Sequence, residues 1–246
     1  MKVAVFRPDD ERLDEAVDLL ESLGADPVPD PMLAVRPTDN APQHAEYVVL
    51  TSKTGVELAH EAGWSPDGAT VCAIGERTAA TLREYGYDVD IVPDEFSSRG
   101  LVATLADRVD GKSVEVARSD HGSEVLTDGL ADAGADVHET VLYELVRPGG
   151  SGRSAELAAD GDLDAALFTS SLTVYHFLDA AEERGIRAEA VDGLEDATVG
   201  AIGDPTHDTA SELDIRVDVV PETASFDRLA REAVERITDG GDEAEV

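Results

Sequence analysis

The sequence predicts an α/β protein with two similar domains, each a parallel sheet flanked by helices, joined by a two-stranded linker. Three observations lead to this fold class. Residues 47–109 and 165–237 repeat the same order of apolar runs and turns. Apolar runs of roughly six residues alternate with helical patterns, which is typical of parallel strands joined by crossover helices. Two extended, Pro-containing segments, 27–37 and 141–148, separate the repeated parts.

The first predicted element is a strand at Lys2–Arg7, and a helix at Asp10–Leu23 follows it with Gly24 as its stop. Apolar side chains recur at helical spacing within this helix. The same opening part returns at Ser113–Arg118, and its helix stops at Gly134. The chain therefore runs as opening part, long part, opening part, long part.

Each long part predicts a strand that ends in hydroxyl residues, a second strand that ends in Gly-x-x-Thr, and a closing helix. The first long part has a strand at 47–52 and helical patterns at 78–85 and 97–108. The second has a strand at 165–170 and a helical pattern at 226–237.

Two domain divisions fit this order of parts. A tandem division pairs residues 1–109 with residues 112–237. A crossing division makes one domain of 40–143 and another of 1–36 plus 149–237. The crossing division is preferred because Pro is tolerated in linker and edge strands, which need not donate every hydrogen bond.

Charge limits the partners of this protein. The chain carries 54 acidic against 19 basic residues, a net charge of −35 at pH 7, and would repel nucleic acid and anionic membranes. The acidic residues are spread over patterned segments, which is typical of proteins from a salt-rich cytoplasm. No apolar run is long enough for a membrane helix, and Lys2–Arg7 enters a strand rather than a signal peptide. We expect a cytoplasmic monomer whose residues 238–246 form a flexible acidic tail.

The sequence predicts neither a metal site nor a cofactor site. Cys72 is the only cysteine, which excludes an internal disulfide and Cys-rich metal sites. No spacing of His residues fits a metal centre, and no phosphate loop or dinucleotide fingerprint occurs.

Hydroxyl residues follow the first strand of each long part, as Thr51 and Ser52 in one copy and Ser170 and Ser171 in the other. A helix that begins there offers free backbone N–H groups and a positive dipole end to an anion. Ordinary N-capping also explains these residues. The sequence leaves both interpretations open.

One strand further on, Gly75 with Thr78 and Gly203 with Thr206 form a second matched pair. Glycine permits a tight exit from the strand, and the threonine lies near the N-terminus of the next helix. These four residues are further candidates for anion binding.

Arginines at strand ends and loop-to-helix junctions are a third set of candidates, led by Arg7 and Arg118. Arginine makes forked hydrogen bonds to carboxylates and therefore suits a polyanionic ligand. The competing interpretation is that these side chains neutralise neighbouring acidic residues. It applies equally to Arg36, Arg77, Arg99 and Arg147.

Tyr143 lies in the second extended segment. It is either a packing residue or, if a cleft lies beside it, a hydrogen-bond donor or weak acid. From these residues alone, two functions remain open: an enzyme, or a non-catalytic protein that binds or senses a small anion.

Five motifs occur in order along the chain: Val49–Val56, Ala73–Ala79, Val141–Glu144, Leu167–Ser171 and Ala201–Thr206. As an ordered set, they resemble the uroporphyrinogen-III synthase family, and the resemblance runs from Arg7 to about Ile237. The family often has Pro after the Ser of the strand-end motif, where this chain has Lys53 and Ser171.

The resemblance implies a fold in which the N-terminal segment belongs to the C-terminal domain. It implies closure of a linear tetrapyrrole, hydroxymethylbilane, to uroporphyrinogen III with inversion of the last pyrrole ring and without metal or organic cofactor. Loss of water from the hydroxymethyl carbon gives an azafulvene cation, and a spiro intermediate follows.

Positioning and charge stabilisation carry the rate of such a reaction more than any single acid or base does. The resemblance implies Tyr143 as the proton donor to the leaving hydroxyl. It implies that the carboxylates of the substrate are held by Ser52, Thr78, Ser170, Ser171 and Thr206.

Overall fold

The computed structural model describes residues 1–243, and this part of the chain forms nine strands and ten helices. The strands are β1 (Lys2–Val5), β2 (Asp26–Pro29), β3 (Ala34–Pro37), β4 (Tyr47–Leu50), β5 (Thr70–Ala73), β6 (Ser113–Ser119), β7 (Asp136–Val146), β8 (Ala165–Phe168) and β9 (Thr198–Ala201). The helices are α1 (Glu11–Ser22), α2 (Lys53–Glu61), α3 (Glu76–Glu84), α4 (Ser98–Leu105), α5 (Glu124–Asp132), α6 (Arg153–Ala159), α7 (Ser171–Glu183), α8 (Arg187–Asp196), α9 (Asp204–Glu212) and α10 (Phe226–Glu243).

The strands form two sheets, in the orders β2-β1-β8-β9 and β3-β7-β6-β4-β5. In the first sheet, β1 pairs in parallel with β2 and β8, and β8 pairs in parallel with β9. In the second sheet, β4 pairs in parallel with β5 and β6, and β6 with β7. The predicted α/β class with parallel sheets is therefore confirmed.

By its internal contacts the chain divides into two units. Unit 1 consists of Met1–Ala34 together with the chain from Val146 onward, and unit 2 is Val35–Leu145. The division falls inside β3 and β7, which are neighbours in the five-stranded sheet. Strand β1 pairs with β8, and β6 pairs with β4, so the opening strand of the chain completes the sheet of unit 1.

Four strands of each sheet share one order, and β3 is an additional strand beside β7 in the five-stranded sheet. Strand β1 lies between β2 and β8, as β6 lies between β7 and β4. Beyond the last strand of each sheet stands an isolated parallel bridge, Cys72 with Ile91 in unit 2 and Gly200 with Val219 in unit 1. Both residues of the second bridge stand 128 positions after those of the first. The register of the two long parts is thus kept through this region.

Each sheet buries both of its faces. In β1, Val3 and Val5 belong to one apolar cluster and Ala4 belongs to the cluster on the other face. The same alternation occurs in β4 of unit 2. Strands covered on both faces read as continuous apolar runs, which is the pattern that the sequence shows.

The segment that begins at Pro27 differs from the sequence prediction, because its first part is an edge strand of unit 1 rather than a crossing. The Asp26 N–H donates to the Met1 carbonyl, just before β1, at 2.8 Å. The Asp30 N–H donates to the carbonyl of Val5, the last residue of β1, at 3.0 Å. Pro27 and Pro29 occupy positions between these donors, where an N–H would point away from β1.

The ends of the opening helices follow the sequence. Asp10 caps α1 by accepting the Arg12 N–H. Gly24 and Gly134 follow α1 and α5 with φ of +80° and +90°, a conformation that favours glycine. Helix α10 continues to Glu243, so residues 238–243 of the predicted tail are helical and 244–246 lie outside the described residues. The flexibility of this tail stays a prediction.

Helices α6 and α8 were not predicted from the sequence. Helix α8 contains Gly193, and glycine weakens a helical pattern. A Cβ at Gly193 would lie 1.8 Å from the Ala158 carbonyl oxygen of α6. The glycine that weakens the sequence signal therefore allows the two helices to pack closely.

Candidate functional site

The candidate residues lie at the carboxyl edge of each parallel sheet, which is where such sheets bind ligands. In unit 2 they follow β4 and β5 or lie near the ends of β6 and β7: Thr51, Ser52, Gly75, Thr78, Arg118 and Tyr143. In unit 1 they follow β1, β8 and β9: Arg7, Ser170, Ser171, Gly203 and Thr206.

Tyr143 and Ser52 are in direct contact in unit 2. The Tyr143 hydroxyl and Ser52 Oγ are 2.9 Å apart, and Ser52 Oγ also accepts the Gly55 N–H at 2.9 Å. Ser52 is therefore the N-cap of α2, and the tyrosine hydroxyl lies at the positive end of that helix. Tyr143 is only 7% exposed, while Thr51 beside the pair is half-buried. N-capping and a role at the ligand site are thus compatible for Ser52, because its hydroxyl caps α2 and also contacts Tyr143.

Gly75 precedes α3 and supplies no side-chain cap. The Ala79 N–H donates to the Gly75 carbonyl. Among the described residues no acceptor is found for the N–H groups of Glu76, Arg77 and Thr78. The Thr78 side chain is buried, and no hydrogen bond of its hydroxyl is found within residues 1–243. This helix end can accept an anion through backbone groups.

Ser170 and Ser171 of unit 1 are held by local structure. Ser170 Oγ accepts the Thr173 N–H at 3.3 Å, and the Thr173 hydroxyl oxygen accepts the Ser170 N–H at 3.3 Å, which forms a capping box. Ser171 Oγ donates to the Pro205 carbonyl at 2.9 Å and accepts the Thr209 hydroxyl at 2.7 Å. Capping and the attachment of α7 to α9 therefore account for both hydroxyls.

Gly203 and Thr206 repeat the geometry of Gly75 and Thr78 with fewer free donors. Gly203 supplies no side-chain cap, and its carbonyl accepts the N–H groups of Thr206 and His207 at 3.0 and 3.1 Å. Pro205, inside the first turn, has no N–H. Thr206 is 3% exposed. The helix end in unit 2 is therefore the richer of the two in unpaired backbone donors.

Arg118 is buried by its own unit. Its guanidinium donates to Glu139 at 2.6 Å and to the Ser123 carbonyl at 2.5 Å. The Nε atom is buried without a partner among the described residues. This is the arrangement expected if the arginine neutralises a neighbouring acid, so the structure offers Arg118 little freedom to meet a ligand.

Arg7 has a different environment, although it occupies the corresponding place in β1. Val116 of β6 stands beside Glu139, whereas Val5 of β1 stands beside Pro29, so the acidic partner is missing. No ion pair of Arg7 is found among the described residues. Its guanidinium lies 4.9 Å from the centre of the Phe226 ring and donates to the Arg12 carbonyl at 3.4 Å. Burial, with the Arg12 charge, lowers the pKa of the Arg7 guanidinium.

The other arginine candidates also separate into two groups. Arg36 pairs with Glu144, and Arg147 pairs with Glu183. Arg77 and Arg99 are exposed near the N-termini of α3 and α4, and no ion pair is found for either within residues 1–243. Arg77 and Arg99 are therefore cations at the carboxyl edge of the sheet in unit 2 that a ligand could meet.

A cavity of about 850 Å³ lies at the opposite, amino edge of the sheet in unit 1. Its lining includes Asp164, Asp196, Glu232, Glu235 and Asp239, with Arg236. Such walls repel a polycarboxylate, so the cavity is a poor substrate site. In the described part of the chain, no group of three or more His, Cys, Asp or Glu is placed to hold a metal ion, and no helix is long and apolar enough to cross a membrane.

Two contacts at the site were not predicted from the sequence. The Ser52–Tyr143 pair joins residues 91 positions apart, and the Ser171–Thr209 pair joins residues 38 apart. The structure pairs Tyr143 with Ser119 near the carboxyl end of β6, and this register is not a signal in the sequence. The sequence also holds no signal for the orientation of the two hydroxyls.

Comparison with known proteins gives a consistent result. The model of the family described as uroporphyrinogen-III synthase HemD matches residues 14–231. A protein of Methanothermobacter thermautotrophicus, provisionally named as a uroporphyrinogen-III synthase, is 34% identical over 218 residues, which is 82% of this chain and 85% of the relative. The uroporphyrinogen-III synthase of Synechococcus elongatus is 29% identical over 193 residues, 75% of this chain and 72% of the relative.

Solved structures with the same fold have low sequence identity. A mutant uroporphyrinogen III synthase of Thermus thermophilus has a TM-score of 0.70 at 20% identity, over 98% of this chain and 99% of that one. The uroporphyrinogen-III synthetase of Helicobacter pylori has a TM-score of 0.58 at 17% identity, over 97% and 98%. At this identity the likeness concerns the fold.

Proposed function

The chain belongs to the uroporphyrinogen-III synthase family, a family of lyase-type enzymes in tetrapyrrole biosynthesis, and from this premise we propose how its residues act. The reaction closes hydroxymethylbilane to uroporphyrinogen III and water, with inversion of the last pyrrole ring. The substrate is a linear tetrapyrrole with several carboxylates. Family membership favours this enzyme over the alternative of a non-catalytic protein that binds or senses a small anion.

The hydrogen-bonded pair of Tyr143 and Ser52 is the observation that carries the proposed mechanism. Ser52 Oγ accepts the Gly55 N–H and lies 2.9 Å from the Tyr143 hydroxyl. When Ser52 donates its own proton to the tyrosine oxygen, the Tyr143 O–H is left to donate outward. Each donor in such a chain polarises the next one. The N-terminus of α2 thus supports proton donation by Tyr143.

Tyr143 donates its proton to the hydroxyl that leaves the substrate. The C–O bond breaks with its electron pair on the oxygen, water departs, and the azafulvene cation remains. The substituted α-carbon of the last ring attacks this cation to give the spiro intermediate, the old bond to that carbon breaks, and the ring closes through the free α-carbon. The C–H proton of that carbon is lost as aromaticity is restored and passes to solvent or to the tyrosinate. Positioning of the chain ends carries most of the remaining rate.

The carboxylates of the substrate bind at the two helix ends that begin with glycine. The free N–H groups of Glu76, Arg77 and Thr78 support this role in unit 2. We assign carboxylate binding to Thr51, Ser52, Gly75, Thr78, Ser170, Ser171, Gly203, Thr206, Arg7 and Arg118. The contributions of Ser170, Ser171 and Arg118 are expected to be indirect, because their side chains are engaged within the protein.

The proposed domains are 1–36 plus 149–237 and 40–143, joined by a two-stranded linker and followed by a flexible acidic tail at 238–246. The division of contacts after Ala34 and Leu145 supports these limits. We also propose a monomer in a salt-rich cytoplasm, without nucleic acid or membrane partners. The net charge of −35 supports this setting, because screening by salt reduces self-repulsion.

The activity is tested by supplying hydroxymethylbilane in high salt, oxidising the products and resolving the porphyrin isomers. Type III porphyrin is expected. Closure without ring inversion gives the type I isomer, and formation of type I alone would refute the proposed function.

The role of Tyr143 is tested by Tyr143→Phe, which removes the proton donor and leaves the ring. We expect kcat for the type III product to fall by about 10- to 100-fold, toward the lower end of what general acids contribute. Tyr47→Phe is the matched control, because that hydroxyl bonds the Arg108 carbonyl at 3.4 Å at the amino end of β4. Unchanged turnover in Tyr143→Phe would remove this residue from the mechanism.

A further inference from the structure

We propose that Phe96 is a substrate-positioning residue whose ring stacks on a pyrrole ring of the linear tetrapyrrole. The inference rests on the proposed function and names a contact that the sequence motifs do not contain. It follows from the exposure of Phe96, from its contact with Gly75, and from a difference between the two long parts.

Phe96 is 64% exposed, more than any other large hydrophobic side chain in the described part of the protein. It lies just before Ser97, the N-cap of α4, whose Oγ accepts the Gly100 N–H at 3.0 Å. When a ligand covers an exposed aromatic ring, apolar surface is removed from water, and this favours binding. The surroundings of the ring therefore decide what such a ligand would be.

The ring lies over the beginning of α3. A Cβ added to Gly75 would be 3.1 Å from Phe96 Cβ and 3.2 Å from its Cγ. Gly75 has an extended backbone, with φ of −170°, so glycine is not required there by backbone conformation. The missing side chain instead gives room to the aromatic ring, which stands beside the unpaired N–H groups of α3.

The second long part builds the same turn without an aromatic residue. The bridges Cys72–Ile91 and Gly200–Val219 fix the register, and in that register Ala224 corresponds to Phe96. A Cβ at Gly203 would meet nothing within 4 Å, so the space over that glycine is open. Because the fold forms this turn with alanine, stability alone does not account for Phe96.

The neighbouring charges suit a pyrrole ring with carboxylate arms. Arg77 and Arg99 are exposed near this edge, and no ion pair is found for either within residues 1–243. The acidic neighbours along the chain are Glu76, Asp94 and Glu95. Glu76 pairs with Arg83, and Glu95 accepts the Ser97 hydroxyl at 2.6 Å. A flat, electron-rich ring can stack on Phe96 while its carboxylate arms reach the arginines and the N–H groups of α3.

Phe96→Ala and Phe96→Leu test this contact, with Phe96→Tyr as the conservative variant. Both non-aromatic variants should raise KM about three- to tenfold with kcat within about twofold, as expected for one lost stacking contact. A larger share of type I product should accompany this change, since a loosely held chain closes without inversion. Phe96→Tyr keeps an aromatic ring and should therefore have the KM and the isomer ratio of the wild-type protein.

Tyr85→Ala is the matched control, because Tyr85 is 40% exposed at the opposite end of α3 and its ring contacts His60 in a tilted arrangement, with the ring centroids 4.4 Å apart. It should leave KM and the isomer ratio unchanged. Thermal unfolding of every variant separates a binding defect from a folding defect.

A Phe96→Leu variant with wild-type KM and isomer ratio would overturn the stacking contact. So would a Phe96→Tyr variant as defective as Phe96→Ala. If the wild-type protein forms only type I product, the proposed function itself fails. The two failures are therefore distinguishable in the same set of assays.

Discussion

Asp30 is expected to be one of the main supports of unit 1. Its carboxylate is 3% exposed and accepts three hydrogen bonds from the start of α6. The Gly152 and Ser154 N–H groups donate at 2.8 Å each, and the Ser154 hydroxyl donates at 2.5 Å. Gly152, the N-cap of α6, has φ of +109° and no side chain to cap the helix. A residue 122 positions earlier therefore supplies the cap.

The magnitude follows from these contacts. Asp30→Ala leaves two buried N–H groups and a hydroxyl without an acceptor, at about 1–3 kcal/mol each before relaxation. Removal of a buried charge recovers part of this free energy, because the carboxylate was desolvated on folding. We expect a net loss of roughly 3 kcal/mol for Asp30→Ala and about 1–2 kcal/mol for Asp30→Asn, which keeps one acceptor oxygen.

The assay is denaturant and thermal unfolding in high salt, both followed by circular dichroism, with hydrogen exchange of peptides that cover α6. A chain of this size should lose roughly 6–12 °C in Tm for about 3 kcal/mol. Asp26→Asn is the matched control, because Asp26 is exposed at the start of β2, the strand that Asp30 follows, and its substitution should change stability by less than about 0.5 kcal/mol. Unchanged stability of Asp30→Ala, with unchanged exchange in α6, would refute the reasoning.

Two further predictions concern Arg118 and Cys72. Arg118→Met should lower the free energy of unfolding by about 1–3 kcal/mol, because Glu139 loses a buried partner. Arg7→Met should instead mainly raise KM. An equal loss of stability in the two variants, measured by thermal unfolding, would contradict this prediction. Burial raises the pKa of the Cys72 thiol from 9.0 to about 12, so alkylation at pH 8 should require unfolding. Because the unfolded thiol ionises first, stability should also fall as pH rises from about 9 toward 12, and rapid labelling of the native thiol would count against the shift.

Much of the fold can be predicted from local pattern. Short apolar runs separated by helical periods indicate parallel strands, and the glycines after α1 and α5 mark helix ends through their positive φ. The Pro-containing segment misled the prediction, because Pro27 and Pro29 occur in an edge strand whose donors alternate with them. An edge strand and a linker make the same sequence signal, since neither needs every N–H.

The location of the candidate site also follows from sequence order. Parallel strands bring their carboxyl ends to one edge, so Ser52 and Gly75 were expected at the same edge. The use of each hydroxyl was not predictable. Ser171 donates to the Pro205 carbonyl and Ser52 contacts Tyr143, because their partners come from distant parts of the chain.

The sequence by itself determined the parallel α/β class, the repeated parts, and the family to which the chain belongs. Tertiary structure alone decided which of two matching arginines is available. Arg118 is held by Glu139, whereas the corresponding neighbour of β1 is Pro29, so Arg7 lacks this partner. Local patterns fix strands and helices because they depend on neighbours along the chain. The freedom of a side chain depends on neighbours across the sheet.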